Sequence, residues 1–262
     1  MTPSFDPGFD IRATHHPLGF VYGPGAFGPV PEMRPLDAIR PSLRQPDCSG
    51  PDPVYAIAMD VGRVQDQPEW RRRNMLYGAV SCAAGCLGDE PVRSQGHVHR
   101  VSSHSGWSPP EVYEVWAGEA FIYMQEHVVD DPGRCFAIQA GPGDLVIVPP
   151  GWAHASISAN THRSLSFGAL CDREYGFDYD GVRKRRGLAW YACVDAAGQN
   201  IRWERNPNYD SPELEIRPPS DYSAFGFSGK QPLYSQVARD FDLFQWISKP
   251  GLVASLWQDF RP

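Results

Sequence analysis

The chain has 262 residues, and its 24 Lys+Arg against 31 Asp+Glu give a formal net charge of −7. That balance leaves no basic field to gather phosphates along a strand, so nucleic acid is excluded as a partner class. Hydrophobic residues at 42% and charged residues at 21% are ordinary globular usage, and no stretch approaches roughly 18 apolar residues, so no membrane span is expected.

Gly 25 and Pro 26, together with 8 Trp, 11 Tyr and 13 Phe, favour a turn-rich β protein over a helical bundle. The opening MTPSFDPGFDIR has no apolar leader, which implies a soluble, cytoplasmic protein. Six cysteines lie without a CxxC pair and are expected as reduced thiols. Cys82 and Cys86 have no second pair with which to complete a tetrahedral metal site.

Residues 1–53 are rich in Pro and Gly and suit an arm that wraps a larger body, with Pro35–Arg40 able to form one or two helical turns. VYAIAMDVG at 54–62 is a predicted strand. From about 74 to 195, nine short β runs follow: NMLYGAV, HVHRV, EVYEVWAG, EAFIYMQEHVV, CFAIQA, DLVIVP, ASISA, SLSFGALC and LAWYACV. Turn residues separate them, and Asp130–Arg134 (DDPGR) has the chemistry of a hairpin loop. Short strands at this spacing predict a sandwich or closed barrel. A Pro-rich linker spans 206–222, after which Leu233, Val237, Phe241 and Phe244 form the stripe of an amphipathic helix.

The residues suited to chemistry fall in three segments: Gly96-His97-Val98-His99, Glu111 to Gly118, and Gly143 to His154. On a strand, residues i and i+2 share a face, so His97 and His99 can reach one ion together. The same period puts Glu111, Tyr113 and Val115 on one face and Glu114 on the other. His154 follows a Pro-Pro-Gly turn that can aim its imidazole into the same cavity. Three imidazoles and a carboxylate suit Mn²⁺, Fe²⁺, Ni²⁺ or Zn²⁺, and ligand type does not choose among them.

These segments together resemble the two-part cupin pattern, GHxH with a Glu separated by six residues from a Gly, then G-x5-P-x-G-x2-H. The resemblance implies an all-β double-stranded β-helix (jelly-roll) barrel over 54–205, with the arm at 1–53 and a linker and helical extension over 206–262. MRPLDAIR, DPVYAIAMDVG, PEVYEVWAGEA, VIVPPGWAH and GFDYDG further resemble the cupin-type phosphoglucose isomerases of archaea and some bacteria. That resemblance implies a homodimeric, metal-dependent aldose–ketose isomerase working through a metal-stabilised enediolate on a sugar or sugar phosphate. It implies one divalent transition metal per chain (Fe, Mn, Ni or Zn) on His97, His99, Glu111 and His154, with Glu111 and Tyr113 as catalytic groups. Substrate binding would fall to Ser94, Gly96, Ser81 and Tyr179.

The departures from the family pattern lie at the substrate end. Ser94-Gln95-Gly96 stands where the family has Thr-Lys-Gly, and an upstream phosphate-binding Thr falls at Val80, beside Ser81. Cys171 replaces a family Tyr, and Phe177 a His. Arg71, Arg72, Arg73, Arg93 and Arg100 are candidate replacements for the missing cation. The segment RVSSHSGWSPP, with His104, would sit at the barrel mouth. The altered pocket leaves two alternatives: a cupin enzyme (an Fe²⁺ oxygenase or an isomerase) acting on a different small biosynthetic intermediate, and a non-catalytic sugar-binding barrel.

Overall fold

Apolar residues on both faces of a strand require a cover on each side, and in this chain the arm and the C-terminal extension supply the outer cover of the larger sheet. The computed structural model describes residues 4–195, 200–210 and 213–262; residues 1–3 of the arm, 196–199 of the barrel segment and 211–212 of the linker lie outside the described residues. Ten strands form the two main sheets. They are β1 (Glu32–Arg34), β2 (Tyr55–Met59), β3 (Met75–Cys82), β4 (Glu111–Ala117), β5 (Ala120–Gln125), β6 (Cys135–Ala140), β7 (Leu145–Val148), β8 (Ala153–Ser158), β9 (Leu165–Asp172) and β10 (Leu214–Arg217). One sheet runs β7-β4-β9-β3-β2-β1 and the other β8-β5-β6-β10. All pairings are antiparallel except β6 with β10. The fold is the all-β cupin barrel, and the arm and the linker each contribute one strand to it.

Register decides which side chains face inward. Val115 lies opposite Phe167, Phe167 opposite Val80, and Val80 opposite Ile57, so one row crosses the larger sheet. With Ile122, Met124, Phe136 and Ile138 of the other sheet it forms the barrel interior. The alternate positions Tyr77, Val112 and Trp116 face outward and pack on Leu233, Val237, Phe244 and Trp246 of the extension. Val182, Leu188, Ala189 and Tyr209 cover the outer face of the smaller sheet.

Two expectations change in detail. The C-terminal helix spans only Leu233–Arg239, because Asp240 turns extended at φ −149°. Phe241 and Phe244 lie beyond it but are buried in the same cluster. His97 is not inside a regular strand: only Val98–His99 is, paired with Phe177–Asp178, while His97 forms an isolated bridge to His154. The arm holds an unforeseen hairpin, Ile11–His15 with Leu18–Tyr22. All six cysteines are free thiols, and no helix among the described residues is long and apolar enough to cross a membrane.

Candidate metal centre and active-site cavity

Three elements deliver the candidate ligands. Glu111 opens β4 with its side chain inward. His154 lies on β8, reached through the turn in which the Trp152 N–H bonds the Pro149 carbonyl at 3.3 Å. Gly151 in that turn has φ +80°, which a glycine adopts without strain. The His97 and His154 backbones exchange both hydrogen bonds, at 3.1 and 2.9 Å, fixing the two imidazoles side by side. Gly96, at φ +85°, turns the chain into His97.

Ligand atoms of His97, His99, Glu111 and His154 all lie within 4.8 Å of one another, and all four residues are buried. Their hydrogen bonds select the ligating atoms. His99 Nδ1 bonds the Pro109 carbonyl at 3.0 Å and His154 Nδ1 the Trp152 carbonyl at 3.1 Å. The His99 contact calls for an Nδ1–H tautomer and leaves its Nε2 lone pair free, the arrangement found behind metal-ligating histidines, whereas His154 Nε2 meets the Glu111 carboxylate, where an ion would take the place of the shared proton. Nε2 of His97 and of His99 are buried without a hydrogen-bond partner. Buried orphan acceptors are costly, and a divalent cation would satisfy both. Glu111 Oε2 lies 2.9 Å from His154 Nε2, 3.6 Å from His99 Nε2 and 2.6 Å from the Tyr113 hydroxyl that donates to it.

The protonation states suit a metal as well. Burial, with His154 and His99 beside it, holds His97 well below the ordinary imidazole value. Burial likewise takes His99 down to about 4, against the pull of Glu111. For Glu111, burial pushes upward, but the His154 hydrogen bond, the neighbouring imidazoles and the Tyr113 hydroxyl outweigh it and hold the carboxyl below its usual range. Burial, followed by the adjacent Glu111, pushes the Tyr113 phenol well up. A neutral His97 and His99 beside a carboxylate are forms that a metal requires.

A cavity opens over this group, lined by Arg34, Tyr55, Ile57, Met59, Val80, Ser94, His97, Glu111, Tyr113, Ser156, Phe167, Ala169, Phe177 and Tyr179. Of the residues expected to bind substrate, Ser94 and Tyr179 line it. Ser81 does not: β3 alternates, so Val80 faces the cavity and the Ser81 hydroxyl bonds the Thr14 carbonyl of the arm at 2.9 Å. Gly96 sits beneath Leu188 and outside the cavity wall. Gln95 turns away to Arg183, whose Nε donates to its Oε1 at 3.1 Å. Cys171 is directly opposite Glu111 on β9, and Phe177 packs its ring edge-on to His97 at 4.5 Å.

The arginines expected to replace the missing cation are elsewhere. Arg73 is paired with Glu69 and Asp242, Arg93 with Glu90. Arg71, Arg72 and Arg100 do not line the cavity either. His104 stays in the mouth loop, where its backbone N–H donates to Ser102 Oγ and Glu174. The cation at the cavity is Arg34, which sequence reasoning missed. It sits in the quoted MRPLDAIR, but nothing local marks Glu32–Arg34 as a barrel strand.

The sequence profile of the family described as glucose-6-phosphate isomerase (GPI) matches residues 39–210. The glucose-6-phosphate isomerase of Sinorhizobium medicae is 26% identical over 144 residues, which is 53% of this chain and 63% of that protein. That of Thermococcus gammatolerans is 25% identical over 155 residues, 57% of this chain and 71% of its own length. The chain thus covers less than two thirds of the Sinorhizobium relative. Among solved structures, an oxalate oxidase overlaps 48% of this chain and 55% of its own at 15% identity and TM-score 0.36. The oxalate decarboxylase of Bacillus subtilis overlaps 45% of this chain and 25% of its own at 19% identity and TM-score 0.32. Overlaps this partial speak to neither activity nor substrate.

Proposed function

The chain belongs to the glucose-6-phosphate isomerase family of the cupin type, and from that premise we propose that it is a metal-dependent aldose–ketose isomerase acting on a sugar phosphate. The observation that carries the reading is the buried His97, His99, Glu111 and His154 group, with two orphaned Nε2 atoms converging where an ion would sit. A divalent ion held there would polarise the carbonyl and hydroxyl oxygens of the substrate.

The chain's own groups handle the proton. Isomerisation through an enediolate moves one hydrogen between C1 and C2, which requires a group that both takes and returns it. Glu111 is ionised and so able to accept a proton at Oε2, and Tyr113 Oη, 2.6 Å away, is able to donate one. Phe167, Ala169 and Phe177 give the cavity beside them an apolar wall. The reading carries with it the homodimer implied by the family resemblance, which light scattering on the purified protein tests.

One observation favours a second reading, a smaller substrate with an apolar portion. Ile57, Met59, Val80, Phe167, Ala169 and Phe177 line the cavity, which encloses about 40 Å³. That is room for a few waters; a hexose phosphate would require the mouth to widen. Metal-loaded protein incubated with fructose 6-phosphate in heavy water distinguishes the two. Deuterium in the recovered sugar, with no oxygen consumed, supports the isomerase. A metal-replete sample that neither incorporates deuterium nor forms the isomeric hexose phosphate removes this substrate and leaves the smaller one.

A further inference from the structure

The substrate end of the cavity lacks the lysine that the family resemblance leads one to expect, and Gln95, in its place, is turned away toward Arg183. A cation nevertheless reaches the cavity from another part of the chain. Arg34, on β1, lies directly opposite Tyr55 on β2, and Tyr55, Ile57 and Met59 are the inward residues of that strand. The arm therefore hands its guanidinium to the barrel interior. Among the described residues lining the cavity, Arg34 is the one Lys or Arg.

Its hydrogen-bonding is incomplete. Arg34 Nη1 pairs with Glu32 at 3.2 Å, but Glu32 has 64% of its side chain exposed and sits at the rim, where water screens the pair. Arg34 Nε is buried and has no acceptor. A buried guanidinium N–H without a partner is a costly omission that an incoming oxyanion would repair, and the planar fork suits two oxygens of one phosphate or carboxylate. Tyr55, Tyr179 and Ser94 bring hydroxyls to the same cavity, which are further donors for such a group.

We infer that Arg34 is the specificity-determining cation of this cavity and seats the anionic terminus of the substrate. This rests on the reading of the cavity as the substrate site. The terminus is a phosphate monoester in the sugar-phosphate reading and a carboxylate in the smaller-substrate reading. In either case the fork holds the anion while Glu111 and Tyr113 face the reacting carbons. The acidic Glu32 competes for the guanidinium from outside and weakens the grip on an entering anion.

Titration calorimetry on the metal-loaded full-length protein, with inorganic phosphate and separately with acetate, tests this. Wild type should bind one of the two anions, and which one identifies the terminus. Arg34→Met should bind it roughly ten- to a hundredfold more weakly, the loss of a charge-assisted hydrogen bond. Arg34→Lys should recover part of that loss. Glu32→Gln, an exposed change that leaves the core untouched, should bind it more tightly. Arg34→Met keeps all four candidate ligands, so anion binding that persists at wild-type strength in that variant would mean the anion sits on the metal and would overturn the inference. Wild type that binds neither anion would overturn it too. If fructose 6-phosphate is turned over, Arg34→Met should raise KM far more than it lowers kcat, and an unchanged KM refutes Arg34 while leaving the isomerase standing. Arg34-dependent anion binding without turnover of that sugar has the opposite meaning.

Discussion

Glu114 offers the sharpest test of how the extension is docked. It points outward from β4, is fully buried, and gathers three donors: the Leu233 N–H at 2.6 Å on Oε1, and Trp116 Nε1 at 3.0 Å and the Tyr77 hydroxyl at 3.2 Å on Oε2. Burial pushes its carboxyl up to about 7, against the pull of those donors. An unfolded glutamate titrates near roughly 4.3, and each unit is worth about 1.36 kcal/mol. Because the folded value is raised, Glu114's contribution to stability is complete below the unfolded value and is lost as pH rises through 7. The loss between pH 5 and pH 8 is on the order of 2–3 kcal/mol.

Glu114→Gln removes this titration. The amide NH₂ must then face a donor, Leu233 N–H on one side or Trp116 Nε1 on the other, an unsatisfied contact that costs about 1–3 kcal/mol. The variant should be less stable than wild type at pH 5, and the deficit should shrink by about 2–3 kcal/mol by pH 8. Urea unfolding of both proteins at pH 5, 6, 7 and 8 measures the difference, and every other titrating group, the histidine cluster included, cancels in it. A stability difference that stays constant across that range would refute the reasoning, because Glu114 would then titrate alike in both states.

Two further outcomes follow from named contacts. The Tyr234 hydroxyl accepts from the Arg63 N–H at 2.8 Å and Trp70 Nε1 at 3.2 Å, so Tyr234→Phe strands two donors and should lower unfolding stability by about 2–4 kcal/mol; a change below about 0.5 kcal/mol would count against that network. Tyr113→Phe removes the proton donor but none of the four candidate ligands, so metal content should hold while deuterium exchange slows by about 10²–10⁴-fold; a full rate would refute the acid–base role.

The four candidate ligands could be singled out from the sequence because the cupin resemblance rests on short motifs, and the structure brings all four together. Two histidines two residues apart, a Glu and Tyr on one strand face, and a Pro-Pro-Gly turn before His154 are short-range patterns that survive without tertiary knowledge. The strand period also separated Glu111 from Glu114 correctly. It could equally have separated Val80 from Ser81, but the hydroxyl drew attention to the wrong side: Ser81 serves the arm. Arg34 was not legible, because β1 is three residues of a Pro-rich arm and its role appears only once Arg34 is seen opposite Tyr55. The Glu114–Leu233 contact joins residues 119 apart in sequence, a pairing no local pattern signals. The helix stripe was sound as a record of burial and wrong as a helix length, since a turn at Asp240 keeps Phe241 and Phe244 in the same core without continuing the helix.

Metal-dependent isomerisation at this cavity requires His97, His99, Glu111 and His154 to form one metal centre. Elemental analysis of purified wild type beside His154→Ala tests it most directly. About one equivalent of Fe, Mn, Ni or Zn per wild-type chain, lost in the variant, is the predicted result. Wild type that takes up no metal even after exposure to each of these ions, or a variant that keeps its full equivalent, would contradict it.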